Sequence, residues 1–443
     1  MQKEQPTLYA RYLVGLMLLV SIIAYSDRLI LGFLIDPIKA DLGLTDTQAG
    51  LLMGLAFSLF YAIMGIPLGR AVDRFPRNAV LAGCIAIWSL ATALCGLATG
   101  VVSLFLARSG IGAGEAAMNP SAISLIGDHY PRSRVVGALA IYSIGIVAGG
   151  GLAIILGGQL VAYLNSLGRI DIVGFDNVPA WRLVFIAMSA PGLVAALLVY
   201  FTVRDRGRTY RRSDQVRANP ESNPDVLVYF KANRRVYALL YGGLVAYGFY
   251  NFSVLSWYPA MFGRTFGSTA AEISIGYGFA FLVSGLAGAL ASAPAVRYFQ
   301  RKGSLDGPAK ILLLTSTLAL VPAVAGPLMP TFELTIACFL VTMFMTAVQN
   351  SMAFTTFVLI APPNRRGIVV ATYVMAMNLT GGSLGGVFIG LLSDNLFGPE
   401  HLAKAISLMA AVALPISMLC FAGLRRPYLA AAKTEEARLA TQA

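Results

Sequence analysis

The sequence predicts an all-α membrane protein of twelve spanning helices in two six-helix halves. Three observations predict it: too few charges for a water-facing surface, twelve long apolar runs, and a repeat between the halves. Charged residues make up 12% of the 443 positions and apolar ones 57%. Soluble domains carry about 25% charged residues, so most of this surface faces something other than water. A hydrocarbon layer about 30 Å thick needs about 20 apolar residues per helix. Within it, only helices or closed barrels satisfy the backbone. These runs are too long and continuous to be the alternating strands of a barrel.

The runs lie at 11–34, 49–70, 79–98, 101–126, 135–163, 181–202, 236–262, 271–295, 309–329, 331–359, 368–394 and 402–424. The chain therefore divides into an N-terminal half, 1–202, a linker, 203–235, a C-terminal half, 236–424, and a tail, 425–443. The first run is too long for the apolar core of a signal peptide and has no small-residue cleavage site before Asp27, so it reads as an uncleaved span. Asp225 to Arg235 mixes Val226, Leu227, Tyr229 and Phe230 with basic residues, which predicts a short helix at the membrane surface. Offset by 232, Pro131, Arg134, Gly149, Gly150, Leu152 and Gly158 coincide with Pro363, Arg366, Gly381, Gly382, Leu384 and Gly390. These positions begin and line spans five and eleven. Two parallel six-helix repeats are one of the architectures of membrane transporters.

Charge sets the topology. With the termini and the even-numbered connections on one side, that side holds 26 of the 33 Lys and Arg residues. The other side holds Lys39, Arg169, Arg182, Arg264 and Lys404. The positive-inside rule then puts both termini in the cytoplasm. The net charge of +12 is a consequence of this topology and calls for no nucleic-acid partner. Cys84, Cys95, Cys338 and Cys420 fall in apolar runs without metal or disulfide spacing. With no nucleophile–base set or metal cluster, the sequence reads as a non-enzyme without metal or cofactor.

Four charges stand well inside spans: Asp27 and Arg28 in the first, Arg108 and Glu115 in the fourth. Each costs about 2.5–3.5 kcal/mol at a bilayer centre on insertion scales. Counting from the span ends puts Asp27, Arg28 and Arg108 at one level, about 10 Å below the outer boundary. Glu115 falls two turns deeper on nearly the same face. Carboxylates that gain and lose a proton beside fixed guanidinium charges suit proton exchange. Asp27 and Glu115 are the proton-coupling candidates. Arg28 and Arg108 are candidates for a solute's negative charge or for holding the carboxylates. The glycines at 110, 112 and 114 lie inside a membrane helix and read as packing residues.

The second half has no deep charge. It offers Asn251, Gln349, Asn350 and Asn378, and an aromatic crowd in span seven that includes Trp257. With Tyr25 and Asn119 from the first half, these are the remaining candidate solute contacts. Asp394, near the outer end of span eleven, reads as interfacial.

Between spans two and three stands Gly69-Arg70-Ala71-Val72-Asp73-Arg74-Phe75-Pro76-Arg77-Asn78. It resembles the cytoplasmic signature of the major facilitator superfamily, with Pro76 where a glycine is usual and Asn78 where a basic residue is usual. The resemblance implies a two-half fold with a pseudo-two-fold axis and a cytoplasmic gate, carried here by Gly69, Asp73, Arg74 and Arg77. Within that superfamily, the chain resembles the spinster family in four stretches. These are Tyr25-Ser26-Asp27-Arg28, the run from Arg108 to Glu115, Trp88-Ser89-Leu90, and Arg132-Ser133 after span four. That implies proton-coupled, alternating-access transport of an amphipathic or lipid-like anion such as a lysolipid. The same charge pattern also resembles anion:cation symporters, which implies a small organic acid instead. A non-transporting receptor on the same fold is the rival from another class, disfavoured by the short linker and tail. The expected partners are a small-molecule or lipid solute, protons and membrane lipids, with no nucleic acid. The chain is expected to work as a monomer in a bacterial inner membrane, driven by the proton gradient.

Overall fold

The structure is a computed structural model that describes residues 7–131, 134–168, 170–172, 175–205, 226–362 and 365–440. Twelve helices among them are long and apolar enough to cross a membrane. The first six are α1 (Leu8–Leu42), α2 (Asp46–Arg74), α3 (Arg77–Gly96), α4 (Val101–His129), α5 (Val135–Ser166) and α6 (Ala180–Thr202). The second six are α7 (Arg234–Phe266), α8 (Ala270–Arg301), α9 (Gly307–Leu328), α10 (Phe332–Ile360), α11 (Arg366–Phe397) and α12 (Pro399–Arg438). The end of the bundle with the α2–α3 and α8–α9 turns is called the basic end here, and the opposite one the far end.

Several elements depart from the sequence expectation. α1 continues past Leu34 to Leu42 because its polar residues find partners. Asp36 binds Arg264, Lys39 binds Asp46, and Asp41 accepts from Trp181 and Arg182. The last helix continues into the tail as far as Ala440, burying Tyr428 and Ala432. The α5–α6 connection forms a small antiparallel hairpin, β1 (Ile170–Ile172) with β2 (Phe175–Val178). α4 breaks at Ala116 and Ala117, directly after Glu115. Pro120 has no N–H for the Ala116 carbonyl, which accounts for the break. A short helix, Val226–Ala232, stands in the linker stretch where a surface helix is predicted. It packs through Tyr229 and Phe230 on Tyr237 at the start of α7. The rest of the linker, 206–225, and the predicted landmarks Arg132, Ser133 and Pro363 lie outside the described residues.

The repeat extends further than the sequence predicted. At an offset of 224, Gly43 caps α1 and Gly267 caps α7, both left-handed at φ 66° and 64°. Thr45 with Gln48 and Thr269 with Glu272 form matching capping boxes on α2 and α8. The halves then meet through two equivalent interfaces, α2 with α11 and α8 with α5. A Cβ on Gly390 would lie 2.2 Å from the Asp46 carbonyl oxygen, and one on Gly158 3.1 Å from that of Ala270. Both pairs obey the repeat, so backbone meets backbone at the far end of each interface.

Charges reinforce that closure. Arg264, at the end of α7, binds Asp36 at 2.6 Å and Asp46 at 2.8 Å across the halves. Asp46 also accepts from Ser393 at 2.5 Å. Asp394 accepts from the backbone N–H of Asp46 at 3.0 Å and of Thr47 at 2.7 Å, capping α2 from the other half. Asp394 is therefore a tie between the halves and more than an interfacial residue.

The basic end is arranged differently. A Cβ on Gly65 or Gly69 would meet nothing within 4 Å. Asp73 and Arg74 are exposed. Arg77 is buried, yet its bonds stay in its own half, to Asp205 at 2.6 Å, Asp128 at 2.5 Å and Ser124 at 2.7 Å. In this conformation Arg77, predicted as part of the cytoplasmic gate, forms a clamp joining α3, α4 and the end of α6.

Candidate functional site

The four intramembrane charges meet, in a pairing that the depth count did not foresee. Arg28 Nε lies 2.6 Å from Glu115 Oε2. Arg108 Nη1 donates to the main-chain oxygen of Asp27 at 2.8 Å, not to its carboxylate. Helix direction explains both contacts. Helical side chains lean towards their own N-terminus. α1 and α4 run in opposite directions, so Arg28 leans towards the deeper Glu115. Arg108 leans the other way, towards the side that the Asp27 carbonyl faces.

Burial is close to complete. Glu115 is 0% exposed, while Asp27 and Arg108 are each 1% exposed. The Arg28 guanidinium sits 4.6 Å from the Phe57 ring centroid, 4.9 Å from Tyr61 and 5.5 Å from Tyr25. Rings at this range stabilise a cation by about 0.5–2 kcal/mol each, more where it is desolvated. Glu115 Oε1, Arg108 Nε and both Asp27 carboxylate oxygens are buried and make no hydrogen bond of ordinary geometry.

A cavity opens beside this group, between the halves. Tyr25, Arg28 and Arg108 line it from the first half, with Phe57 and Ser58 of α2. Asn251 of α7, Asn350 of α10 and Asn378 of α11 line it from the second. Helix α11 is locally widened into a π-turn over Asn378–Gly382, which brings Asn378 and Gly382 onto the wall. Such turns recur at functional sites. Asp27 corresponds to Asn251 at the 224 offset, so one polar position is charged and off the cavity in one half, neutral and on the wall in the other.

Three predicted contacts stand elsewhere. Gln349 accepts from Thr315 at 2.8 Å and Ser316 at 3.3 Å inside the second half. Trp257 is fully buried and donates to the Gly386 carbonyl at 2.9 Å, bracing α7 on α11. Asn119 accepts from the Tyr142 hydroxyl at 3.3 Å, away from the cavity lining. The aromatic crowd of α7 is mostly core. Tyr247, Tyr250 and Tyr258 are buried, and only Phe252 reaches the cavity. Residues at spacings of three and four share one helix face, and that face packs inside the half. The sequence reading missed Phe57, Ser58, Phe281, Met343, Thr346 and Ser351, which all line the cavity. They are ordinary residues of a membrane helix and carry no signal of their own.

Comparison with known proteins gives consistent results. The family model described as Major Facilitator Superfamily matches residues 17–305. An "MFS-type efflux pump" of Mycolicibacterium smegmatis is 29% identical over 414 residues, 92% of this chain and 91% of that protein. A "Hexuronate transporter" of Bacillus subtilis is 25% identical over 243 residues, 55% of this chain and 54% of that protein. Among solved structures, a bacterial homolog to the human lysosomal transporter spinster, inward-facing and unoccupied, superposes with a TM-score of 0.79. It is 24% identical, with 97% of this chain and 98% of that one covered.

Proposed function

The chain belongs to the Major Facilitator Superfamily, a multi-pass transporter family and not an enzyme family, and on that premise we propose that it is a proton-coupled transporter of an amphipathic organic anion. The observation that carries this reading is the Arg28–Glu115 pair at the wall of an inter-half cavity, with Arg108 beside it. Glu115 and a solute anion compete for Arg28. A proton on Glu115 frees the guanidinium for the anion, and loss of that proton restores the ion pair and expels the anion. Arg is the suitable partner because its planar fork keeps its charge throughout. The solute's apolar part lies against Leu29, Ile146, Phe252, Leu255, Phe281 and Met343.

The basic end is the cytoplasmic one in this reading, with both termini inside and the cavity open inwards. The basic excess supports that assignment. The inward-facing state of the spinster homolog with the same fold is in keeping with it. The host membrane is a bacterial inner membrane, and the transporter acts as a monomer.

The three amides opposite the guanidiniums favour a second reading, a small polyhydroxylated acid. Asn251, Asn350 and Asn378 can hold hydroxyl groups as donors and acceptors alike. One experiment tests both readings. Purified protein in liposomes with a trapped pH dye is offered D-glucuronate or an anionic lysolipid under a pH gradient. Proton movement with the lysolipid supports the first reading, and with D-glucuronate the second. Proton movement with neither, while the protein binds either compound, refutes coupled transport of these solutes.

A further inference from the structure

The two interfaces between the halves share one repeat but differ in the helices that form them. α5 and α8 run as regular α-helix from Val135 to Ser166 and from Ala270 to Arg301. All three π-turns among the described residues lie on the other pair, α2 and α11. They cover Leu51–Leu55 of α2, and Asn378–Gly382 and Ser393–Phe397 of α11. A π-turn holds one residue more than an α-turn. Moving or closing it re-registers the next segment by one residue, about 1.5 Å along the axis and about 100° around it.

The two turns of α11 bracket the piece that meets α2. Ser383–Leu392 is regular helix. A Cβ on Gly54 would lie 2.7 Å from the Ser383 carbonyl oxygen, and one on Gly50 would run into that of Gly386. At one end of this piece, the first turn puts Asn378 and Gly382 on the cavity wall. At the other end, the second turn carries Ser393 and Asp394, which bond to the start of α2. Asp394 accepts there from the Thr47 hydroxyl as well, at 2.6 Å. The α5–α8 interface is tied at its far end by a neutral amide. Gln159 donates to the Ala271 carbonyl at 3.1 Å and to the Ser274 hydroxyl at 2.9 Å. Packed interfaces move between discrete arrangements and do not deform continuously. A rigid piece between two adjustable turns is such an element, and here one turn faces the cavity and the other holds the far-end closure.

We propose that the molecule opens at its far end on one side only. The α2–α11 interface parts, the α5–α8 interface stays closed as the hinge, and Ser383–Leu392 is the piece that moves. A solute that engages Asn378 thereby acts on Asp394 at the other end of the same piece. The inference rests on the alternating-access transport reading, but its test involves no solute.

Hydrogen–deuterium exchange, read by mass spectrometry on full-length protein in lipid nanodiscs, reports the opening of each interface separately. Arg264→Ala weakens the far-end closure. Exchange should then rise by up to about 100-fold in 46–55 and 383–397, and stay at the wild-type rate in 151–166 and 270–285. Asp36→Asn, on a helix of neither interface, should give the same pattern at smaller size, and it carries the test if Arg264→Ala fails to fold. Adding Gly69→Leu, at the opposite end of α2, should remove the rise, because a leucine there blocks the approach of the halves at the basic end. An equal rise in both interfaces overturns the proposal, as does a rise confined to α5 and α8 or no rise at all. A rise that survives Gly69→Leu is local fraying and overturns it too. Absence of solute-driven proton flux would instead refute the transport reading and leave these exchange patterns as they are.

Discussion

Arg28 is held by one carboxylate and three rings, and each makes a distinct contribution. Glu115→Gln removes the competing charge but keeps the shape. Proton-driven uptake should fall at least 100-fold while solute exchange without a gradient survives in part, which a counterflow assay measures. Normal driving by a pH gradient in this variant would rule out Glu115 as a coupling residue. Asp27→Asn should have the same phenotype. Arg108→Ala should weaken an anionic solute by about 10- to 100-fold, the value of a hydrogen bond to a charged group, and leave an uncharged analogue unchanged. Calorimetric titration of both compounds decides this, since equal loss for the two means that Arg108 only supports the backbone of α1. That these residues belong together was legible in the sequence, because four charges within apolar spans have few ways to be tolerated. Their pairing was not. It depends on which way each side chain leans along antiparallel helices, and a count of residues from a span end leaves that out.

At the scale of elements, the far end is joined by charges that the sequence shows only as loop or span-end residues. Asp36, Asp46, Arg264 and Asp394 are visible in the chain, but contacts across more than two hundred positions have no local signature. Arg264→Ala leaves buried Asp46 with Lys39 and Ser393 alone. Breaking a buried pair from one side costs about 3 kcal/mol, or about a 100-fold shift away from the conformation closed at this end. A cysteine placed at Thr47 should react faster with a membrane-impermeant maleimide in that variant, and an unchanged rate would show that the glycine contacts close this end by themselves. The basic end has its own charge cluster at Asp306, before α9. Partial burial pushes the Asp306 carboxyl up, but hydrogen bonds from Lys310 and Ser304, both at 2.7 Å, pull it below the ordinary carboxylate range. A carboxyl lowered on folding stabilises the protein above its unfolded value, and the contribution is lost as pH falls through the folded one. Thermal unfolding at successive pH values should therefore show a smaller drop from pH 7 to pH 3 in Asp306→Asn than in wild type.

The whole molecule repeats itself more faithfully in packing than in chemistry. The 232 offset between α5 and α11 was legible because glycine leaves few alternatives in a tight contact. The 224 offset between α1–α2 and α7–α8 was not, since only Gly43 with Gly267 and Thr45 with Thr269 are identical at the caps, and the carbonyl contacts carry no side-chain signal. The ends of the halves show the same divergence. Arg77 on α3 meets Asp205 after α6, whereas Asp306 before α9 meets Arg425 of α12 at 3.5 Å, the same junction with its signs exchanged. The shared scaffold fixes where helices touch, and each half then fills the shared positions for its own task, Asp27 facing inwards in one and Asn251 facing the cavity in the other.

The bare faces of Gly65 and Gly69 are a mating surface without its mate. In the conformation described a Cβ at either position would meet nothing within 4 Å, so a side chain can start there without a clash. Leucine at position 69 would even improve a helix, by nearly 1 kcal/mol relative to glycine. Gly69→Leu should therefore fold as well as wild type and melt no lower, yet halt turnover, because the opposite state has to bring the halves together at this end. A variant that is harmless in one state and forbidden in the other works as a one-way lock. Unimpaired transport by Gly69→Leu would mean that the two halves never approach each other there.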